Sequence, residues 1–466
     1  MPVVAPVRPE ASLPGSKRGA SLSALMPTAP AGLRSPHRFV AALALAAALA
    51  ACGPTRAADP PPSKAARPPA IQWVETRPIE TTLGNPDIPE TVPAWISLIR
   101  GAKRTLDVEQ FYLSTWPNEP LEEVLAEAGR AAERGVAIRL ILDAGMYRTY
   151  PRTADSLAKA RNWSVRLIDF RRIGGGIQHS KYFLIDGSTT FIGSQNFDWR
   201  ALKHIHEMGI VVRDARVTHD FQQVFEMDWA VSTPVGRPAD TTRRVFRTPP
   251  RRPLLPLPYS IAMAPGDTAQ VWPSFSPGKF IPDTAMADLK RIVGLIDAAR
   301  SEVVVQLLQY SPESRGERDP AIDDALRRAA GRGVKVKLLI SDWVTGGRGL
   351  AALQDLGKDP GLEVRISTLS EWSGGYIPFA RVEHCKYMVV DTLTTWLGTS
   401  NWEPGYFSSS RNLGVTTRHR GLSRQARDVF EASWSAPSAA PLDLKGKYEP
   451  KVRGEEPPPG KTKYGG

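Results

Sequence analysis

The chain has 466 residues, 60 Lys and Arg against 48 Asp and Glu, and a formal net charge of +12. Its 42 % hydrophobic content can build a sizeable core, which excludes a wholly disordered chain, and its two cysteines exclude a disulfide scaffold. The length allows about two or three domains, and the positive balance suits an anionic partner without saying which.

In chain order, the first feature is an uninterrupted apolar run, Phe39 to Ala51, preceded by Arg34, His37 and Arg38. That is a signal-peptide core, too short for a bilayer span of about 20 residues. The run ends Leu49-Ala50-Ala51-Cys52-Gly53, which resembles a bacterial lipobox. Residues 1–51 therefore read as a lipoprotein signal peptide and Cys52 as the acylated anchor. Gly53 at the next position resembles outer-membrane sorting, so a bacterial cell envelope is expected, with the protein facing the periplasm or the exterior. Removing the signal takes away five basic residues and one acidic one, and +12 becomes +8. Besides Cys52 only Cys385 remains, so no intrachain disulfide is expected.

Residues 52–79 read as a Pro-rich tether. A helix is expected near Pro93 to Lys103, a strand at Thr105 to Leu113, a helix at Leu121 to Arg134 and a strand at Val136 to Leu142. Further strands are expected near Val165–Asp169, Lys181–Ile185, Thr189–Ile192 and Gly209–Val212, and a helix at Val217 to Trp229. The order then repeats. Gly101 to Ser114 resembles Ala298 to Ser311, an offset of 197. Val224-Phe225-Glu226 resembles Val429-Phe430-Glu431, an offset of 205. Alternating strands and helices given twice predict an α/β fold of two pseudo-symmetric lobes, 80–232 and 263–440, each a central sheet flanked by helices. Between them, 233–262 reads as a Pro/Arg-rich linker carrying Arg243, Arg244, Arg247, Arg251 and Arg252. Residues 441–466 read as a disordered tail.

One motif occurs in both repeats. The first copy runs His179-Ser-Lys181, then Asp186, Gly193-Ser194 and Asn196; the second runs His384-Cys385-Lys386, then Asp391, Gly398-Thr399 and Asn401. On a strand, residues i and i+2 point the same way, so each His shares a face with its Lys. Asp186 and Asp391 have the opposite parity and read as structural. Cys385 likewise points away from His384, which disfavours a His–Cys metal pair. Small residues at Gly193-Ser194 and Gly398-Thr399 suit close backbone approach to an anion, with Asn196 and Asn401 donating to phosphoryl oxygens beside the lysines. Cleaving a phosphodiester without a metal needs a nucleophile, a proton donor and positive charge around phosphorus. Two His, two Lys and two Asn supply all three.

This doubled pattern, HxKx4Dx6GSxN, resembles that of the phospholipase D superfamily, with Thr399 where Ser is usual. The stretches around Trp199-Arg200, Pro378 to Met388 and Gly405-Tyr406-Phe407 resemble its phospholipase D3/D4 branch and bacterial relatives. The resemblance implies one active site between the lobes, so that a monomer suffices, no cofactor, and two steps through a phosphohistidine. It implies 5′ exonuclease action on single-stranded nucleic acid or, alternatively, phospholipase or phosphatidyl-transfer chemistry on membrane phospholipids. Glu207 follows His179 at the same spacing at which Asn412 follows His384 in the second repeat. A carboxylate behind His179 would favour the positive charge that phosphorylation creates, so His179 is expected as nucleophile and His384 as general acid and base, with Asn412 orienting. His204, His206 and His419 are read as surface or structural. Gly174-Gly175-Gly176 reads as a flexible turn into the first motif. Trp199, Trp402, Tyr406 and Phe407 would stack bases in a nuclease or line an acyl-glycerol entrance in a lipase, or else they are core.

Overall fold

The structure is a computed structural model that describes residues 68–237, 256–314, 316–347, 349–449 and 454–465. The expected duplication is visible as two mixed sheets. The first has strand order 71–76, 207–212, 189–193, 181–185, 105–110, 137–143, 163–168 and 233–234. The second runs 259–264, 267–276, 412–418, 394–398, 387–390, 302–307, 335–341, 362–367 and 439–441. In each, three adjacent strands are parallel, 105–110 with 137–143 and 163–168, and 302–307 with 335–341 and 362–367. The helices Pro120–Glu133 and Ala321–Gly331 cross between parallel strands, as such connections require.

Three apolar cores hold these layers. One lies under the outer helices of the first lobe around Trp95 and Leu121, and another in the second lobe around Ile292 and Leu326. The third lies between the lobes. There Phe221 and Phe225 of helix Ala215–Val231 pack with Tyr182, and Val429 and Phe430 of helix Arg420–Trp434 pack with Tyr387 and Leu397. Strand residues that face this shared core alternate with residues that face an outer one: Tyr182 and Leu184 face inward, Phe183 and Ile185 outward. The duplication therefore produces one body with its two catalytic motifs side by side.

Three segment assignments change. Ile71–Thr76, inside the expected tether, is a strand antiparallel to Glu207–Val212, and its Ile71 and Trp73 are buried. In the expected linker, Thr233–Pro234 pairs with the first sheet and Tyr259–Ala264 with Asp267–Ser276. The arginines from Arg243 to Arg252 lie outside the described residues, as does Cys52. The expected tail is also attached. Ala439–Pro441 extends the second sheet. Tyr464 donates its backbone N–H to the Tyr376 carbonyl at 2.9 Å and its hydroxyl to Glu119 at 2.8 Å. In each case short apolar or aromatic pieces within a Pro-rich context find a sheet edge or an aromatic patch to cover.

Among the described residues, no helix is long and apolar enough to cross a membrane.

Candidate active site

His179 and His384 lie just before the starts of their strands, Lys181–Ile185 and Tyr387–Val390, and both face the seam between the lobes. A backbone crossing fixes each. His179 donates its N–H to the Arg411 carbonyl at 2.9 Å, and His384 donates to the His206 carbonyl at 3.0 Å. The residues before them, Gln178 and Glu383, form bridges with Arg411 and His206 of the opposite lobe. Both lysines fold back, Lys181 Nζ donating to the His179 carbonyl at 2.7 Å and Lys386 Nζ to the His384 carbonyl at 2.8 Å.

These crossings overturn the expected partner of Glu207. The carboxylate lies against His384, not His179, with both oxygens 2.8 Å from Nδ1. His179 Nδ1 instead faces Asn412 Oδ1 at 3.0 Å. Each histidine is thus oriented by the other lobe. The shared spacing identified the right pair of positions and attached them to the wrong rings. The charge argument that made His179 the nucleophile consequently loses its premise.

Charges within the cleft are strongly interdependent. Burial, then the ammonium groups of Lys181 and Lys386, hold His179 well below the usual imidazole value. Burial, then Lys386 and Lys181, do the same to His384. Burial lowers Lys181 well below the ordinary lysine value, helped by repulsion from Lys386. It brings Lys386 down to about 8 against the pull of Glu207. The Glu207 carboxyl, fully buried, is pushed up to about 8 by desolvation although Lys386, Ser194 and Lys181 oppose this. An arriving phosphodiester anion relieves the repulsion among four nitrogen bases.

The remaining motif residues divide between cleft and scaffold. Asn196 and Asn401 are buried, and among the described residues their Oδ1 atoms have no hydrogen-bond partner. Ser194 and Thr399, expected to hold phosphate, are spent inside the protein. The Ser194 hydroxyl accepts from Met208 N–H at 3.0 Å, beside Glu207. Thr399 donates to Asn412 Oδ1 at 3.0 Å and accepts from Leu413 N–H. Their hydroxyls aim Glu207 and Asn412 rather than the substrate. Gly193 and Gly398 are small for packing, not for an anion. A Cβ on Gly193 would lie 2.9 Å from Gly209 Cα, and one on Gly398 would lie 3.0 Å from the Leu413 carbonyl oxygen. Asp186 and Asp391 sit at the far ends of their strands in left-handed backbone. Asp186 accepts from the N–H groups of Lys103, Arg104 and Thr105, and Asp391 from those of Arg300, Ser301 and Glu302. They are anchors for the neighbouring strand.

Gly174-Gly175-Gly176 is a close lobe-to-lobe contact instead of a flexible turn. A Cβ on Gly174 or Gly176 would come within 2.6 Å of the Ser409 carbonyl oxygen. Trp402 packs on Trp396 in the second core, whereas Tyr406 sets its ring edge-on to His179 at 5.0 Å. Phe111 stands on the same imidazole at 4.9 Å.

Sequence reasoning missed two buried ionic bridges behind the histidines. His206, read as surface or structural, is wholly buried, with Nδ1 2.8 Å from Glu383 and Nε2 2.8 Å from Glu75. Against the cost of burial, Glu383 and then Glu75 raise its imidazole to about 10, so it is a cation. At the matched place Arg411 holds Asp228 through two bonds of 2.7 and 2.8 Å. The signal was available: His206 and Arg411 are separated by the repeat offset, a basic residue just before Glu207 and another just before Asn412. Ligand atoms of His206, Glu383 and Cys385 lie within 4.8 Å of one another, a grouping of the type that binds metals. Both ring nitrogens of His206 already face carboxylates, so the grouping is accounted for as an ion bridge.

The sequence pattern of the family described as cardiolipin synthase, PLD-like domain, matches residues 95–229 and 292–434, one match in each lobe. The chain belongs to the phospholipase D superfamily. A 5'-3' exonuclease PLD3 from Rattus norvegicus is 32 % identical over 382 residues, covering 76 % of each chain. Similar too are the 5'-3' exonuclease PLD4 of Mus musculus, at 27 % over 77 % of this chain and 76 % of that one, and the probable phospholipase D F09G2.8 of Caenorhabditis elegans. The latter is 30 % identical over 74 % of this chain and 66 % of its own. A phosphatidylserine synthase of Haemophilus influenzae shares the fold, with a TM-score of 0.58 at 14 % identity over 80 % of this chain and 87 % of that one. Membership in the phospholipase D superfamily, in the branch of these exonucleases, makes the chain a phosphodiesterase.

Proposed function

We propose that the chain hydrolyses single-stranded nucleic acid from its 5′ end through a phosphohistidine on His384. The observation that carries the choice of nucleophile is the Glu207 carboxylate on His384 Nδ1. When Nε2 attacks phosphorus, positive charge spreads over the imidazole and favours the ionised form of the Glu207 carboxyl, which burial sets at about 8 in the free cleft. The carboxylate stabilises that charge where the Asn412 amide behind His179 cannot. In the first step His179, protonated at Nε2 once the bound phosphodiester anion offsets the two lysines, gives that proton to the departing oxygen as the P–N bond forms and the P–O bond breaks. In the second, His179 takes a proton from water, the water oxygen attacks phosphorus, and the P–N bond breaks. Lys181 and Lys386 neutralise the phosphoryl oxygens and the Asn196 and Asn401 amides donate hydrogen bonds to them, so the two steps call for no metal or other cofactor.

Nucleic acid as substrate is supported by the relatives named as 5'-3' exonucleases and by the Phe111 and Tyr406 rings beside His179, which suit an unstacked base. Acylation at Cys52 would place the protein in a bacterial envelope, at the outer membrane, where the two lobes of one chain complete the site. The nematode relative's name favours the alternative, phospholipid, as the competing substrate. The test offers purified protein 5′-labelled single-stranded DNA and, separately, phosphatidylglycerol vesicles, each in excess chelator. Stepwise release of 5′ nucleotides without headgroup release is expected. Headgroup release alone would replace the nuclease reading, and loss of activity in chelator would contradict the metal-free steps.

A further inference from the structure

Far from the catalytic groups, the second lobe has a cationic hollow of about 620 Å³. It lies at the Asp391 end of strand Tyr387–Val390, while His384 and Lys386 lie at the other, roughly 15–20 Å away along extended chain. Its lining includes Trp272, Lys290, Arg291, Arg300 and Arg418. The carboxylate in the lining, Asp391, is occupied by the backbone N–H groups of residues 300–302.

Arg291 is the informative residue. It is partly buried, its guanidinium lies 4.1 Å over the Trp272 ring, and its side-chain hydrogen bond goes to the neutral Thr416 hydroxyl at 3.3 Å. Among the described residues none of the four cations pairs with a carboxylate, unlike Arg139, Arg327 and Arg427 elsewhere on the surface. Burial without such a partner brings Arg291 down to about 10. A desolvated guanidinium left without an anion is costly, and an anionic ligand supplies what is missing.

The fold does not demand this arrangement. Thr91 and Asp288 occupy matched places, receiving the side chains of Gln195 and Ser400. From that anchor, Arg291 corresponds to Ala94 and Lys290 to Pro93. In register, Trp272 opposite Thr416 corresponds to Gln72 opposite Val211. The first lobe thus keeps Lys103 and Arg213 at the places of Arg300 and Arg418 and lacks the other two cations and the indole. Lys290, Arg291 and Trp272 turn an inherited sheet end into an anion pocket with an aromatic wall.

We infer that this hollow is a second, non-catalytic binding site for a phosphate-bearing ligand with an apolar or planar body, held by Lys290, Arg291, Arg300 and Arg418 against Trp272. That chemistry is offered by a free nucleotide and by a phospholipid headgroup. The test uses the full chain carrying His384→Ala, so that no probe is consumed. Titration with a deoxynucleoside monophosphate, and sedimentation with phosphatidylglycerol against phosphatidylcholine vesicles, give the two arms. Binding in either arm should weaken at least tenfold in Arg291→Gln and in the exposed Lys290→Gln, and weaken with added salt. Trp272→Leu should reduce nucleotide or lipid affinity more than that for inorganic phosphate. In the otherwise unaltered chain, these three substitutions should leave turnover of a small phosphodiester unchanged. Binding in the nucleotide arm identifies a free ligand, binding in the vesicle arm a membrane contact. No binding in either arm, or binding that survives Arg291→Gln and Lys290→Gln but disappears in Lys386→Met, would overturn the inference.

Discussion

The two half-sites of the cleft descend from one repeated unit, yet at three matched places they carry different residues, and at two of these different charges. Behind His384 stand Glu207, the cation His206 and the carboxylate Glu383. Behind His179, at the positions matched by the repeat, stand Asn412, Arg411 and Gln178. The acidic partners have moved as well. Arg411 is met by Asp228, with Glu109 reaching Gln178, while the second lobe has Ser433 and Gln306 in those places. Duplication thus preserved where the groups stand, and divergence set which imidazole can carry positive charge. One half-site has a permanent guanidinium bridge, and the other has a titratable one.

The largest expected effect removes the asymmetry. Glu207→Gln keeps the shape and withdraws the charge behind His384, and kcat should fall by about 10³–10⁴, in line with loss of the orienting carboxylate in other His-based sites. Asn412→Ala should cost far less. Equal losses would show that the carboxylate only orients. Next in size are the two bridges. Asp228→Asn and His206→Gln each leave buried charge unpaired and should cost about 3–5 kcal/mol in chemical denaturation. They should differ in pH dependence. His206 has a raised pKa, so its contribution is whole below 6.5 and is lost as pH rises through about 10. Wild-type stability should therefore decline across that window, and His206→Gln should flatten the decline while Asp228→Asn keeps it. Smallest is an alkaline limb. As pH rises through about 8, Glu207 gains its charge and Lys386 loses its proton, so kcat/KM should peak near that point and drop about tenfold per pH unit well above it. A profile flat to pH 10 would show that Lys386 stays charged in the free enzyme.

Much of this was legible in the sequence because it is local. The doubled motif located both histidines, both lysines and the two asparagines, and the repeat offsets predicted the paired sheets. The parity of Asp186 and Asp391 separated them from the cleft. What was not legible depends on which lobe each strand end meets. Glu207 and Asn412 are equidistant from their own histidines, so spacing alone pairs them within a lobe. Only the crossings of His206 with Glu383 and of Arg411 with Gln178 exchange them. Ser194 and Thr399 misled for a similar reason, since a hydroxyl beside a phosphate turn and a hydroxyl holding the next strand look alike in one dimension. Ile71–Thr76 was hidden by its Pro-rich surroundings, although its alternating Ile71, Trp73 and Glu75 side chains all end up buried.

The most direct test of the half-site asymmetry is to trap the covalent intermediate. A phosphodiester with radiolabelled phosphorus and a leaving group that needs no proton should phosphorylate His179→Ala and leave label on the protein, because water is no longer activated. His384→Ala should take up no label. Label retained on His384→Ala and absent from His179→Ala would contradict the account and make His179 the nucleophile.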